Sequence, residues 1–107
     1  MEKINVIKFS YNWNNKICCK CFTTLRIEDN QKYIIGNKYK ITLKEKYIKS
    51  VEIIDIRCFK INNIGDYIGY LDTGYSGVET IAIIKKMYPK VDFSIISLYF
   101  ILMKTIE

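Results

Sequence analysis

The 107-residue chain contains no histidine at all. That removes the usual general base near neutral pH, the histidine-paired serine and cysteine nucleophiles, and the commonest metal ligand. Any catalysis has to run on lysine, carboxylate, tyrosine, cysteine or threonine. Proline occurs once and glycine five times. With no Ser/Gly-rich or repetitive stretch, nothing marks a linker, a low-complexity tail or an internal repeat. One domain over residues 1–107, built on one core, is the expectation. Long apolar runs are missing too: the greasiest stretch, residues 93–103 (FSIISLYFILM), is eleven residues, where a membrane-spanning helix needs about twenty. The start of the chain (MEKINVIKFS) alternates charge with apolar residues and lacks the unbroken apolar core of a secretory signal. The sequence therefore reads as cytoplasmic, with no membrane partner.

What is present begins with four cysteines, Cys18, Cys19, Cys21 and Cys58. In a chain without an export signal they should stay reduced. Zinc sites usually draw ligand pairs from C-x-x-C, whereas C-C-x-C sends neighbouring side chains to different sides of the chain, so no metal is assigned. At least two of the four read as small buried hydrophobes. No cofactor is implied.

The net charge of +6 is unevenly spread. Residues 1–50 hold eleven Lys/Arg against four acids, and residues 51–107 six against seven. A basic first half suits a polyanion such as RNA, through phosphate neutralisation and counterion release, and equally suits a solvated lysine surface.

Alternation of apolar and polar residues predicts strands over residues 4–9 (INVIKF), 22–27 (FTTLRI), 39–43 (YKITL) and 47–59 (YIKSVEIIDIRCF). In the last of these Val51, Ile53, Asp55 and Arg57 are expected on one face, with Ile54, Ile56 and Cys58 on the other. Residues 11–16 (YNWNNK) read as a polar turn, and Gly36-Asn37 as another. A short helix is expected within 63–71 and a longer one over 78–88, with Val78, Ile81, Ile84 and Tyr88 on its apolar face and Pro89 stopping it. Ser76 and Glu79 have the spacing of a capping box. Residues 93–103 are expected to form a central strand. The sum is an α+β fold: a small, strongly curved or closed β structure with one or two helices.

The run CKCFTTLR, residues 19–26, carries the densest chemistry. Strand parity sends Leu25 and Ile27 to the core and puts Phe22, Thr24 and Arg26 on the opposite face. Parity also brings Lys20 to that face if the strand is regular; a bulge at Cys21 would break it. Trp13, Phe22, Tyr11 and Tyr75 lie where a base could stack, worth about 1–3 kcal/mol each. Asp72 and Tyr75 could read a base edge by hydrogen bonding.

These features resemble the ASCH domains of the PUA-like superfamily. The likeness rests on residues 20–26 (KCFTTLR), Gly36 introducing a strand, Glu79 opening a helix that ends in Tyr88-Pro89, and a final hydrophobic strand. Its signature is roughly G-x-K-x-x-T-x-R. Thr24 and Arg26 fill the threonine and arginine; Cys19 stands at the glycine position and Cys21 at the lysine position, with Lys20 one place early. The spacing from Glu79 to Tyr88-Pro89 is similar to that in the bacterial acetylcytidine amidohydrolases of the family. The resemblance implies a small PUA-like β-barrel whose cleft accepts RNA or a modified nucleobase or nucleoside. It also implies a hydrolase reading, in which Thr24 matches the nucleophile, Glu79 the glutamate and Arg26 the motif arginine, and Lys20 substitutes for the lysine. Members include a ribonuclease as well. Ligand contacts are expected from Arg26, Phe22, Trp13, Asp72, Tyr75 and Cys21. A third reading keeps the barrel, abandons the pocket, and makes the chain a protein-binding or inhibitory module.

Overall fold

A computed structural model describes residues 5–106. Five strands form one mixed sheet: β1 (Val6–Phe9), β2 (Cys21–Ile27), β3 (Lys38–Leu43), β4 (Lys46–Phe59) and β5 (Leu98–Thr105). They are ordered β1-β3-β4-β5-β2. Only β1 and β3 run parallel; the other pairs are antiparallel. Helices α1 (Asp66–Asp72) and α2 (Gly77–Met87) fall between β4 and β5. Short 3-10 segments occupy Trp13–Cys18 and Ile61–Asn63. The expected start of β1 at Ile4 lies outside the described residues.

The sheet curls. β1 and β2 are its opposite edges, yet the rings of Phe9 and Phe22, one from each, have centroids 6.3 Å apart. Alternation explains how both faces of β2 become covered. Phe22 joins Ile7, Phe9, Tyr39, Ile41, Val51, Ile53, Ile101 and Met103 inside the curl. Leu25, on the other face, packs with Ile61, Ile64, Ile84, Phe93 and Leu98 under the helices. The result is a small α+β domain on a strongly curled, half-barrel sheet.

Four details depart from the pattern of the sequence. In β4 the pairing with β5 shifts between Ile53 and Asp55. The extra residue flips the parity, so Val51 and Ile53 share the inner cluster with Ile56 rather than with Asp55 and Arg57. In α2 the inward stripe is Gly77, Thr80 and Ile84, while Val78 is 80% exposed. The cause is a close backbone crossing: a Cβ on Gly77 would lie 2.6 Å from the carbonyl carbon of Gly65, and one on Gly69 2.6 Å from the Tyr75 oxygen. The last strand begins at Leu98, not at Phe93, because Asp92 turns the chain by accepting from the Ser94 amide and hydroxyl. Finally, all four cysteines are exposed rather than buried, since they sit at the ends and solvent side of their elements.

Candidate functional site

The segment Trp13–Cys18 is more than a polar turn. Asn14 and Asn15 take φ of 56° and 53°, a left-handed conformation that asparagine tolerates better than most residues. Asn12 closes the loop by accepting from the Ile17 amide, and Asn14 donates to the Tyr70 carbonyl, which ties the segment to the end of α1. This geometry turns Lys16 inward. Its ammonium meets the Asp72 carboxylate at 2.8 Å, with both side chains only 6% exposed. The Thr23 hydroxyl donates to the same oxygen, Oδ1, at 2.9 Å. Among the described residues Asp72 Oδ2 receives no hydrogen bond, and none of its neighbours is a buried polar atom left unsatisfied.

A hollow of about 70 Å³ opens above this pair. Its floor and walls include Lys16, Asp72, Thr24 and Arg26, with Phe9, Tyr11 and Trp13 on one side and Ile84, Met87 and Tyr88 of the α2 end on the other. Arg26 Nε donates to the Thr24 hydroxyl oxygen at 2.9 Å, and its guanidinium lies 4.7 Å above the Phe9 ring. The two terminal guanidinium nitrogens make no hydrogen bond among the described residues and stay available. Burial pushes the Lys16 amine below the usual lysine value; Asp72 opposes the shift and the Arg26 charge adds to it. A cation, a carboxylate, a hydroxyl and a fixed guanidinium thus share one partly desolvated space.

Of the residues expected from the sequence, Thr24, Arg26, Asp72 and Trp13 line this hollow. Tyr75 is not among the lining residues but meets Trp13 edge-on at 6.1 Å, and Tyr11, which does line the hollow, packs against Trp13 at 4.7 Å. The remaining four lie elsewhere. Phe22 is buried in the inner cluster. Cys21 is exposed, opposite Lys104 across the β2–β5 ladder. Lys20 precedes β2, exposed, and lines a separate groove with Cys18, Cys19, Lys49 and Lys104. Glu79 closes the capping box with Ser76, accepting from its hydroxyl at 2.9 Å. The helix cap therefore occupies that carboxylate, and it does not face Arg26.

Lys16 is the buried cation of the hollow that strand parity could not reveal. Its signal was the asparagine cluster before it, which marks a left-handed, side-chain-capped turn able to point one long side chain back into the fold. Phe9, which supports Arg26, stood in the sequence only as the end of the strand expected over residues 4–9. Among the described residues no group of three His, Cys, Asp or Glu side chains is arranged to hold a metal ion. No helix among them is long and apolar enough to cross a membrane.

No family model matches the chain, and no curated protein matches its sequence. A similar solved structure is that of protein EF3133 from Enterococcus faecalis V583, which carries the family description DUF984. The TM-score is 0.67 with 9% sequence identity, over 99% of this chain and 82% of that one. At that identity the likeness is one of fold: a small α+β domain on a curled, barrel-like sheet.

Proposed function

We propose that the chain binds RNA, or a modified nucleobase or nucleoside, with one base edge entering the hollow above Lys16 and Asp72. The observation that carries the reading is that both hydrogen bonds to Asp72 fall on Oδ1 while Oδ2 and the terminal nitrogens of Arg26 are unused. An acceptor and a fixed fork of donors in one aromatic-sided space suit the amino and carbonyl groups of a base edge. Trp13, braced edge-on by Tyr11 and Tyr75, offers the rim a ring on which a base or ribose could rest. The test is calorimetric titration with the four ribonucleosides and a short single-stranded RNA at low salt. Saturable binding that weakens at least tenfold in Arg26→Met and in Asp72→Asn is expected. Absence of binding by every probe ends the reading.

A second reading is favoured by the lowered Lys16 amine in the same hollow as the Thr24 hydroxyl. It is hydrolysis of an N-acylated cytidine. Thr24 Oγ would attack the acyl carbon as its proton passes to the Lys16 amine in its unprotonated form, which burial favours. The amine would return that proton to the departing exocyclic nitrogen, and water would then cleave the acyl ester to the free acid. Lys16 and Asp72 would here take the places that the resemblance gave to Lys20 and Glu79. Release of cytidine from acetylcytidine, abolished in Thr24→Ala and Lys16→Met, is the expected result. Turnover unchanged in Thr24→Ala sinks it.

A further inference from the structure

We infer that the open groove lined by Lys20, Lys49 and Lys104 is a track for the phosphodiester backbone of single-stranded RNA, so that the protein reads a strand and not a free nucleoside. The inference rests on the binding reading above and names its ligand class. The groove encloses about 700 Å³ and is lined by Cys18, Cys19, Lys20, Lys49, Lys104 and Thr105, together with Ile106. Three lysines from three parts of the chain converge there, and among the described lining residues there is no carboxylate. Neither Lys20 nor Lys104 forms an ion pair among the described residues. Glu52 faces Lys104 across the ladder, but it also faces Lys38 on its other side, so the described residues of this face keep a positive excess.

Lys49 shows that the charge is held in place. Its ammonium donates to the Cys19 carbonyl at 2.9 Å and to the Thr105 hydroxyl at 3.0 Å, and it lies 5.0 Å over the Phe22 ring. A positioned cation loses less rotamer freedom on meeting a phosphate than a free surface lysine does. The groove and the hollow are also neighbours along the chain. Trp13 and Lys16 line the hollow, and Cys18, Cys19 and Lys20 begin the groove, so one short segment walls both. The arrangement pairs a base-reading pocket with a sequence-independent backbone contact.

The test compares a fluorescein-labelled mixed-sequence RNA octamer with free ribonucleosides, over 25–300 mM salt, in the wild type and in Lys20→Glu/Lys104→Glu. Both side chains are exposed, so the fold should persist, which circular dichroism checks. Each phosphate contact on a single strand contributes about −0.7 to the slope of log affinity against log salt. The wild type should bind the octamer at least tenfold more tightly than any nucleoside at low salt, with a slope near −2. The double variant should lose roughly 1.4 of that slope and most of the octamer's advantage, with nucleoside binding unchanged. An octamer bound no better than a nucleoside, or a slope unmoved in the variant, overturns the track while leaving the base pocket standing. Octamer binding with the predicted slope loss but no nucleoside binding supports the track and removes the base pocket instead.

Discussion

Two basic regions of this molecule draw lining residues from the one segment 13–20, and they use lysine in opposite ways. In the hollow, Lys16 is withdrawn from water and held by Asp72. In the groove, Lys20 and Lys104 keep their charge in solvent. Burial makes an ammonium costly and therefore sensitive: its partner, its protonation and its geometry all matter. Exposure makes it cheap and interchangeable, useful chiefly for long-range attraction that salt screens. The first arrangement suits recognition of a specific chemical edge or proton transfer, the second a repeating anion.

The sharpest way to break this contrast is to remove the carboxylate. Asp72→Ala leaves a buried ammonium with no counter-charge and also frees the Thr23 hydroxyl. A loss of about 3–5 kcal/mol is expected for such a severed buried pair, read from urea denaturation. A loss below about 1 kcal/mol would mean that water reaches Lys16 freely and that the two regions do not differ in kind.

The hollow also depends on where α1 ends, since Asp72 is its last residue. Gly69→Ala would drive a methyl group into the backbone at Tyr75 and Ser76. Overpacking of this sort costs about 1–3 kcal/mol, and the displaced Asp72 should weaken ligand binding as well. The same substitution has no route to the groove, so the salt slope of RNA binding should stay as it was.

pH separates the regions next. Lys16 is held below the usual lysine value in the folded state, so the unfolded chain binds more protons between that lowered value and about 10.4. Stability attributable to this residue therefore rises with pH across that window, with a slope of at most about 1.4 kcal/mol per pH unit. Tyr33, raised by burial, acts oppositely above about 10, where the unfolded tyrosine ionises first. Denaturation midpoints followed from pH 7 to 9.5 should show the rise in the wild type and lose it in Lys16→Met.

Much of the fold could be read from the sequence for a physical reason: strand alternation, the capping box at Ser76 and the proline stop are local rules. The face shared by Phe22, Thr24 and Arg26 followed from period two alone. Its use did not, because Phe22 is taken by the core while Arg26 emerges at the rim, a division set by the curl that brings β1 beside β2. Lys16 and Asp72 are 56 residues apart, and no local pattern announces their meeting. The bulge in β4 likewise arises from pairing with β5. Glu79 is the instructive opposite: its short-range role as a cap was plain in the sequence and is what the structure shows. Ser76→Ala should accordingly cost about 1 kcal/mol of stability with the ligand affinity of the hollow unaltered.

The smallest expected effect is the most telling about the groove. Lys20→Ala and Lys104→Ala, singly, remove exposed cations with no ion pair among the described residues, and each should change stability by less than about 0.5 kcal/mol. Lys49→Ala should cost more, since that ammonium bonds the Cys19 carbonyl and the Thr105 hydroxyl and rests on Phe22. Parallel thermal and urea unfolding of the three variants gives the ordering. If Lys20→Ala destabilises as much as Lys49→Ala, then Lys20 is part of the groove's architecture and its charge is spent on the fold. If the ordering holds, the two outer lysines are free of structural duty, and any loss of RNA affinity they cause belongs to the phosphate contact itself.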